Sequence, residues 1–178
     1  MKRQPWIAHP SSVCVTKADE IARIQKGMSY LKLGPSRASV LPNMETLPPR
    51  ILLVDDEKDV RETLYTLLER EGYEVLASSN GPEALSIFRL SVRPIELLVT
   101  DYNMPEMSGL ELARQCSRLS GELKVLYVSG SRPDEELQAD LQTHTRGFLA
   151  KPFRGGDLLR KARELLLTES AEQLTLSS

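Results

Sequence analysis

Asp101 follows the apolar run Leu97-Leu98-Val99 and leads into Asn103, Pro105 and Gly109, so a buried strand ends on an acid and opens into a turn. A second acidic strand end stands earlier, where Ile51-Leu52-Leu53-Val54 gives way to Asp55-Asp56-Glu57. Two more apolar runs end on polar groups: Lys124-Val125-Leu126-Tyr127-Val128 on Ser129-Gly130, and Phe148-Leu149-Ala150 on Lys151-Pro152. Taken singly each has a plain structural reading. Asp55-Asp56 suits a helix N-terminus, Ser129 a turn cap, and Lys151 a solvated surface. Taken together, three carboxylates gathered at one place repel unless a cation sits among them, and hard oxygen donors suit Mg²⁺ or Mn²⁺. A nucleophilic carboxylate, a hydroxyl and an ammonium beside such a cation could stabilise the three equatorial oxygens of a transferring phosphoryl group, with an aspartyl phosphate as product.

The elements that would position these groups can be read from periodicity. Val60, Leu64, Leu67 and Leu68 mark a helix with one apolar stripe, ended by Gly72. Tyr73 to Ala77 reads as the second strand. Asn80 and Glu83 bracket a helix start with Pro82 in its first turn, and Ala84, Leu85 and Phe88 form its buried side. Leu110, Leu112, Ala113 and Cys116 mark a helix after Gly109, with Cys116 as a small core residue rather than a redox centre. Pro133 and Asp134-Glu135-Glu136 open a weakly apolar helix carrying Leu137 and Leu141, with His144 at the surface. Leu158, Ala162, Leu165 and Leu166 form the last helix. Strands alternating with helices argue an α/β fold with a parallel sheet covered on both faces. In such sheets, sites form outside the carboxyl ends of the strands, which is where all of these groups fall.

The chain has 178 residues, 40% of them hydrophobic and 27% charged. Residues 1–49 carry seven Lys/Arg against three Asp/Glu, while residues 50–178 carry sixteen against twenty-two. The acidic part lacks the basic face of a nucleic-acid binder, so no nucleic-acid partner is expected. Cys14 and Cys116 make no metal or redox spacing, which favours a reducing, cytoplasmic compartment. No apolar run approaches the roughly 18 residues of a membrane span, and the N-terminus has no signal-peptide core. Residues 1–49 read as a largely disordered extension. A possible short helix over 16–33 begins near Thr16 and Asp19 and carries Ile21, Ile24, Met28 and Leu31; a proline-rich linker over 34–49 follows. Met44 is an alternative start, which would leave residues 1–43 untranslated. Residues 168–178 form a polar tail.

From Arg50 to Leu167 the chain resembles the receiver domain of bacterial two-component response regulators. The resemblance rests on Leu53-Val54-Asp55-Asp56-Glu57, Thr100 through Gly109, Val128-Ser129-Gly130 and Phe148 through Phe153, all in the family's order. It implies the flavodoxin-like (βα)5 fold with strand order 2-1-3-4-5. It implies Asp101 as phosphoacceptor, with Asp56 a direct Mg²⁺ ligand, Asp55 acting mainly through metal-bound water, and the backbone carbonyl of Asn103 completing the set. Ser129 and Lys151 would bind phosphoryl oxygens. Ser129 and Phe148 would act as switch residues, Ser129 standing where Thr is commoner and Phe148 where Tyr is. Gly130 would leave room for the donor, Pro105 and Gly109 would shape the loop, and the bond before Pro152 would be cis.

The implied partners are a sensor histidine kinase or a phosphotransfer protein, and a downstream protein reached through the fourth helix, fifth strand and fifth helix. The residues after 167 are too few to bury a core, so output is expected to pass through protein contact. Apart from its own phosphorylation and dephosphorylation, the domain is not expected to be an enzyme. Two alternatives stand beside this reading. One is a receiver belonging to a hybrid histidine kinase. The other is a haloacid-dehalogenase-like phosphatase, which places its nucleophile on the first strand with a second acid two residues on; here the first strand gives adjacent acids.

Overall fold

The computed structural model describes residues 47–168. The possible helix over 16–33 and the tail from 169 lie outside the described residues. Among the described residues, five strands and five helices alternate: β1 (Arg50–Val54), α1 (Lys58–Arg70), β2 (Glu74–Ser78), α2 (Gly81–Leu90), β3 (Leu97–Asp101), α3 (Gly109–Leu119), β4 (Lys124–Ser129), α4 (Glu135–Asp140), β5 (Arg146–Ala150) and α5 (Gly155–Leu167). All strand pairs are parallel, in the order β2-β1-β3-β4-β5. This is the flavodoxin-like arrangement, and its central strands β1, β3 and β4 are near-continuous apolar runs because both faces are covered.

Strand alternation divides the core in two. Leu52, Val54, Leu98, Val125 and Tyr127 point to one face, where Ala84, Leu85, Leu112, Ala113, Cys116 and Leu137 of α2, α3 and α4 cover them. Ile51, Leu53, Leu97, Val99, Leu126 and Val128 point to the other, under Leu64, Leu68, Leu158, Ala162 and Leu165 of α1 and α5. Burying a side chain of this size contributes about 1.5–3 kcal/mol, so the two layers hold the sheet edge as a firm platform.

The helix ends follow local chemistry. Asn80 accepts a hydrogen bond from the Glu83 amide, Ser108 from Glu111 and Asp134 from Leu137, each satisfying an otherwise orphaned N–H. At the end of α1, Gly72 takes φ +96°, its amide donates to the Glu69 carbonyl, and the Tyr73 amide donates to the Leu68 carbonyl. At the opposite edge of the sheet from the strand-end acids, Arg50 is buried and donates to Glu74, Ser91 and the Arg93 carbonyl. Arg93 in turn pairs with Glu74 and donates to the Pro48 carbonyl, which fixes the chain's entry into β1.

Candidate functional site

The carboxyl ends of β1, β3, β4 and β5 bring the expected groups together. Carboxylate oxygens of Asp55, Asp56 and Asp101 all lie within 4.8 Å of one another. Asp55 and Asp101 are buried, while Asp56 is exposed. Lys151 reaches in from the end of β5: its Nζ lies 2.6 Å from Asp101 Oδ2, 3.0 Å from Asp55 Oδ2 and 3.6 Å from Glu57 Oε1. Two backbone amides hold the carboxylates in place, Glu57 donating to Asp55 Oδ1 and Asn103 to Asp101 Oδ1, both at 2.9 Å. Arg61 donates to the Asp55 backbone carbonyl at 2.5 Å, tying α1 to the end of β1.

The electrostatics follow from this crowding. Burial pushes the Asp55 carboxyl above its ordinary value, against the opposing pull of Lys151. Burial also disfavours the charged form of Lys151, but the hydrogen bonds to Asp101 and Asp55 outweigh it and push its pKa up to about 12. Lys151 is therefore a fixed positive charge at working pH. One ammonium stands against Asp55, Asp56, Glu57 and Asp101, so the cluster retains excess negative charge. Clustered oxygen donors with uncompensated charge are what a small hard divalent cation requires, and the donor set fits Mg²⁺ in its chemistry.

The loops around the acids are tightly specified. A Cβ added to Gly109 would lie 2.1 Å from the Asp101 carbonyl oxygen and 3.0 Å from Thr100 Cγ2, so no larger residue fits where the loop after β3 returns. The Gly109 amide donates to the Tyr102 carbonyl at 3.0 Å. Glu106, next to Pro105, sits at φ +65°, and Met107 donates back to the Pro105 carbonyl, closing a tight turn. Gly130 is exposed, and a Cβ added there would meet nothing within 4 Å, which leaves an open approach beside Ser129. The Lys151–Pro152 bond is cis. Phe148 is half-buried, pairs in register with Tyr127 and packs against the face covered by α4.

Ser129 is buried at the end of β4, and its hydroxyl faces a polar network rather than the carboxylates. Its Oγ accepts from the Asn103 carboxamide at 3.2 Å and from the Ser131 amide at 3.1 Å, and lies 3.0 Å from Ser131 Oγ. The Asn103 carboxamide also donates to Ser131 Oγ at 3.1 Å. Sequence reasoning assigns Asn103 only its carbonyl and does not single out Ser131. A polar side chain two residues past each of two strand ends is the signal that could have found them.

Comparison with known proteins adds a consistent result. A family model described as a response regulator receiver domain matches residues 51–163. The response regulator receiver protein CpdR of Brucella abortus is 37% identical over 123 residues, covering 66% of this chain and 97% of that protein. The response regulator MprA of Mycobacterium sp. (strain KMS) is 35% identical over 127 residues, covering 71% of this chain and 54% of MprA, so the chain spans about half the length of that relative. Among solved structures, the response regulator TrrA of Thermotoga maritima, in complex with Mg²⁺ and BeF, aligns with a TM-score of 0.56 at 32% identity, covering 66% of this chain and 98% of that one.

Proposed function

The chain belongs to the response regulator receiver family of two-component signalling, and on that premise we propose that Asp101 is its phosphoacceptor. The observation that carries the assignment is the short Lys151–Asp101 contact of 2.6 Å inside the acidic cluster at the end of β3. Receiver domains take phosphate from histidine kinases or phosphotransfer proteins, and the donor here is a phosphohistidine on such a partner.

The Asp101 carboxylate attacks phosphorus in line. A new O–P bond forms, the P–N bond to the donor imidazole breaks, and the imidazole leaves with its electron pair and takes up a proton. Asp55, Asp56, Asp101 and the Asn103 backbone carbonyl would hold Mg²⁺ (or Mn²⁺), Asp55 mainly through water, and the ion when bound supplies positive charge to the phosphoryl oxygens. Lys151, already a permanent cation 2.6 Å from Asp101, pairs with one phosphoryl oxygen. Ser129 leaves the Asn103–Ser131 network to donate to another. Phe148 follows the space Ser129 vacates, and the face made by α4, β5 and α5 changes shape for a downstream protein. Water later hydrolyses the aspartyl phosphate and restores the carboxylate.

Intact mass measured after acetyl phosphate treatment with Mg²⁺ tests the assignment. The wild type gains one phosphoryl group, acid-stable and base-labile, and Asp101→Ala gains none. A label that survives the substitution would sink the assignment. Multiple turnover on phosphomonoesters would point to the phosphatase alternative.

A further inference from the structure

α4 is six residues long and buries only Leu137, so packing alone holds it weakly. It is held at both ends by a phenol donating to a carboxylate. At its C-terminal end Tyr127, fully buried in β4, donates to Asp140 Oδ2 at 2.7 Å, and Arg146 Nε donates to the same oxygen at 3.1 Å. At its N-terminal end Tyr102 donates to Asp134 Oδ2 at 2.5 Å, while Asp134 Oδ1 caps the helix by accepting from the Leu137 amide at 2.9 Å.

The two ends differ in what they join. Tyr127 ties the helix to the sheet. Tyr102, the residue directly after Asp101, ties it to the loop after β3, across from the loop after β4 that must rearrange if Ser129 is to reach a phosphoryl group. Ser129 ends β4 and Asp134 lies on the loop that follows it, so drawing Ser129 toward Asp101 displaces the segment that carries Asp134. Tyr102 cannot follow. Its amide donates to the Val128 carbonyl at 2.9 Å and its carbonyl accepts from Gly109. Its ring stands edge-on to Tyr127, with centroids 6.4 Å apart and planes at 86°.

We propose that the Tyr102–Asp134 hydrogen bond is a latch that holds α4 in its unphosphorylated position and opens when Asp101 is phosphorylated. The latch rests on Asp101 being the phosphoacceptor. A contact made in one state only opposes the switch, and by linkage its removal must tighten binding of anything that favours the other state.

The test is a titration of the full-length protein with beryllofluoride, a phosphoryl analogue, at fixed Mg²⁺, alongside amide exchange over 135–141. Tyr102→Phe removes one hydroxyl and leaves the ring. Asp134→Ser keeps a good N-cap but is too short to reach the phenol. Each variant is expected to bind the analogue about 5-fold more tightly than wild type. Each is also expected to exchange α4 amides faster in the ligand-free state and like wild type in the bound state. The double variant is expected to bind no more tightly than either single. A Tyr102→Phe affinity equal to or weaker than wild type, or effects that multiply in the double variant, overturns the latch. Asp101→Asn must not bind the analogue; if it binds as wild type does, the phosphoacceptor assignment fails, whereas the latch fails alone when only Tyr102→Phe misbehaves.

Discussion

Asp55 pays for its position. It is buried, faces Asp101, and has its folded-state carboxyl pKa raised mainly by that burial. A raised carboxyl pKa means the folded state holds the proton more tightly than the unfolded chain does. The associated stability is full below the unfolded value of 3.8 and is lost as pH rises through the higher folded value, so at neutral pH ionised Asp55 weakens the fold. Asp55→Asn is therefore expected to raise the thermal midpoint in metal-free buffer by about 3 °C. Added Mg²⁺ is expected to raise the midpoint of the wild type and not that of this variant. Differential scanning calorimetry with and without Mg²⁺ reads both, and a lowered metal-free midpoint would contradict this account. Asp55, Asp101, Ser129 and Lys151 were legible in the sequence because each terminates an apolar run, and a parallel sheet gathers such ends on one edge. The Tyr102–Asp134 pair was not. Its members are of ordinary type, 32 positions apart, and neither breaks a local pattern.

At the scale of elements, the loop from β3 to α3 is built around Gly109. Its missing Cβ lets the first turn of α3 press against the Asp101 carbonyl, which holds the backbone of the proposed phosphoacceptor from behind. Gly109→Ala must move one of these backbones, and the expected cost is about 3 kcal/mol. The urea midpoint should fall accordingly, and phosphorylation from acetyl phosphate should slow because the Asp101 carboxylate is displaced. A neutral substitution would show that the loop yields freely. The cap at Asn80 was readable, since a short polar side chain before an apolar pattern satisfies free amides, and the acids after Pro133 marked a helix start without singling out Asp134 as its cap. β5 was harder. Its first residues, Arg146 and Gly147, carry no strand signal. Arg146 is accommodated by Asp140 just upstream and by Ser117 and the Leu123 carbonyl, both distant in sequence. Gly147 leaves room for Leu165 and Leu126, which a Cβ there would approach to 3.1 and 3.3 Å. β2 begins at Glu74 rather than Tyr73, because Glu74 is drawn into the Arg50–Arg93 network at the sheet's far edge.

At the scale of the whole molecule, the α2–α4 side of the core hides two groups that resist ionisation. Burial pushes the Cys116 thiol up to about 12, and burial together with the hydrogen bond to Asp140 raises the Tyr127 phenol. Both raised values give stability that is complete at neutral pH and lost as the unfolded chain begins to ionise, for Cys116 from about pH 9 and for Tyr127 from about pH 10. Global stability from urea unfolding is expected to fall between about pH 9 and 12, with Cys116 contributing a slope of up to about 1.4 kcal/mol per pH unit. Cys116→Ala should cost about 1 kcal/mol at pH 7 and flatten the alkaline fall by that slope. An unchanged slope would mean another group governs the alkaline limit.

Asp134 divides its two oxygens between tasks, one serving the α4 amide and the other the Tyr102 phenol. A relative without a hydroxyl at the position of Tyr102 can exchange this aspartate for Ser, Thr or Asn with no loss to the helix, since any of them caps. A relative that keeps the tyrosine cannot, because only a carboxylate offers a second acceptor at that reach. The two positions should therefore drift together through descent, tyrosine with aspartate, while the capping role alone leaves the later position free to wander.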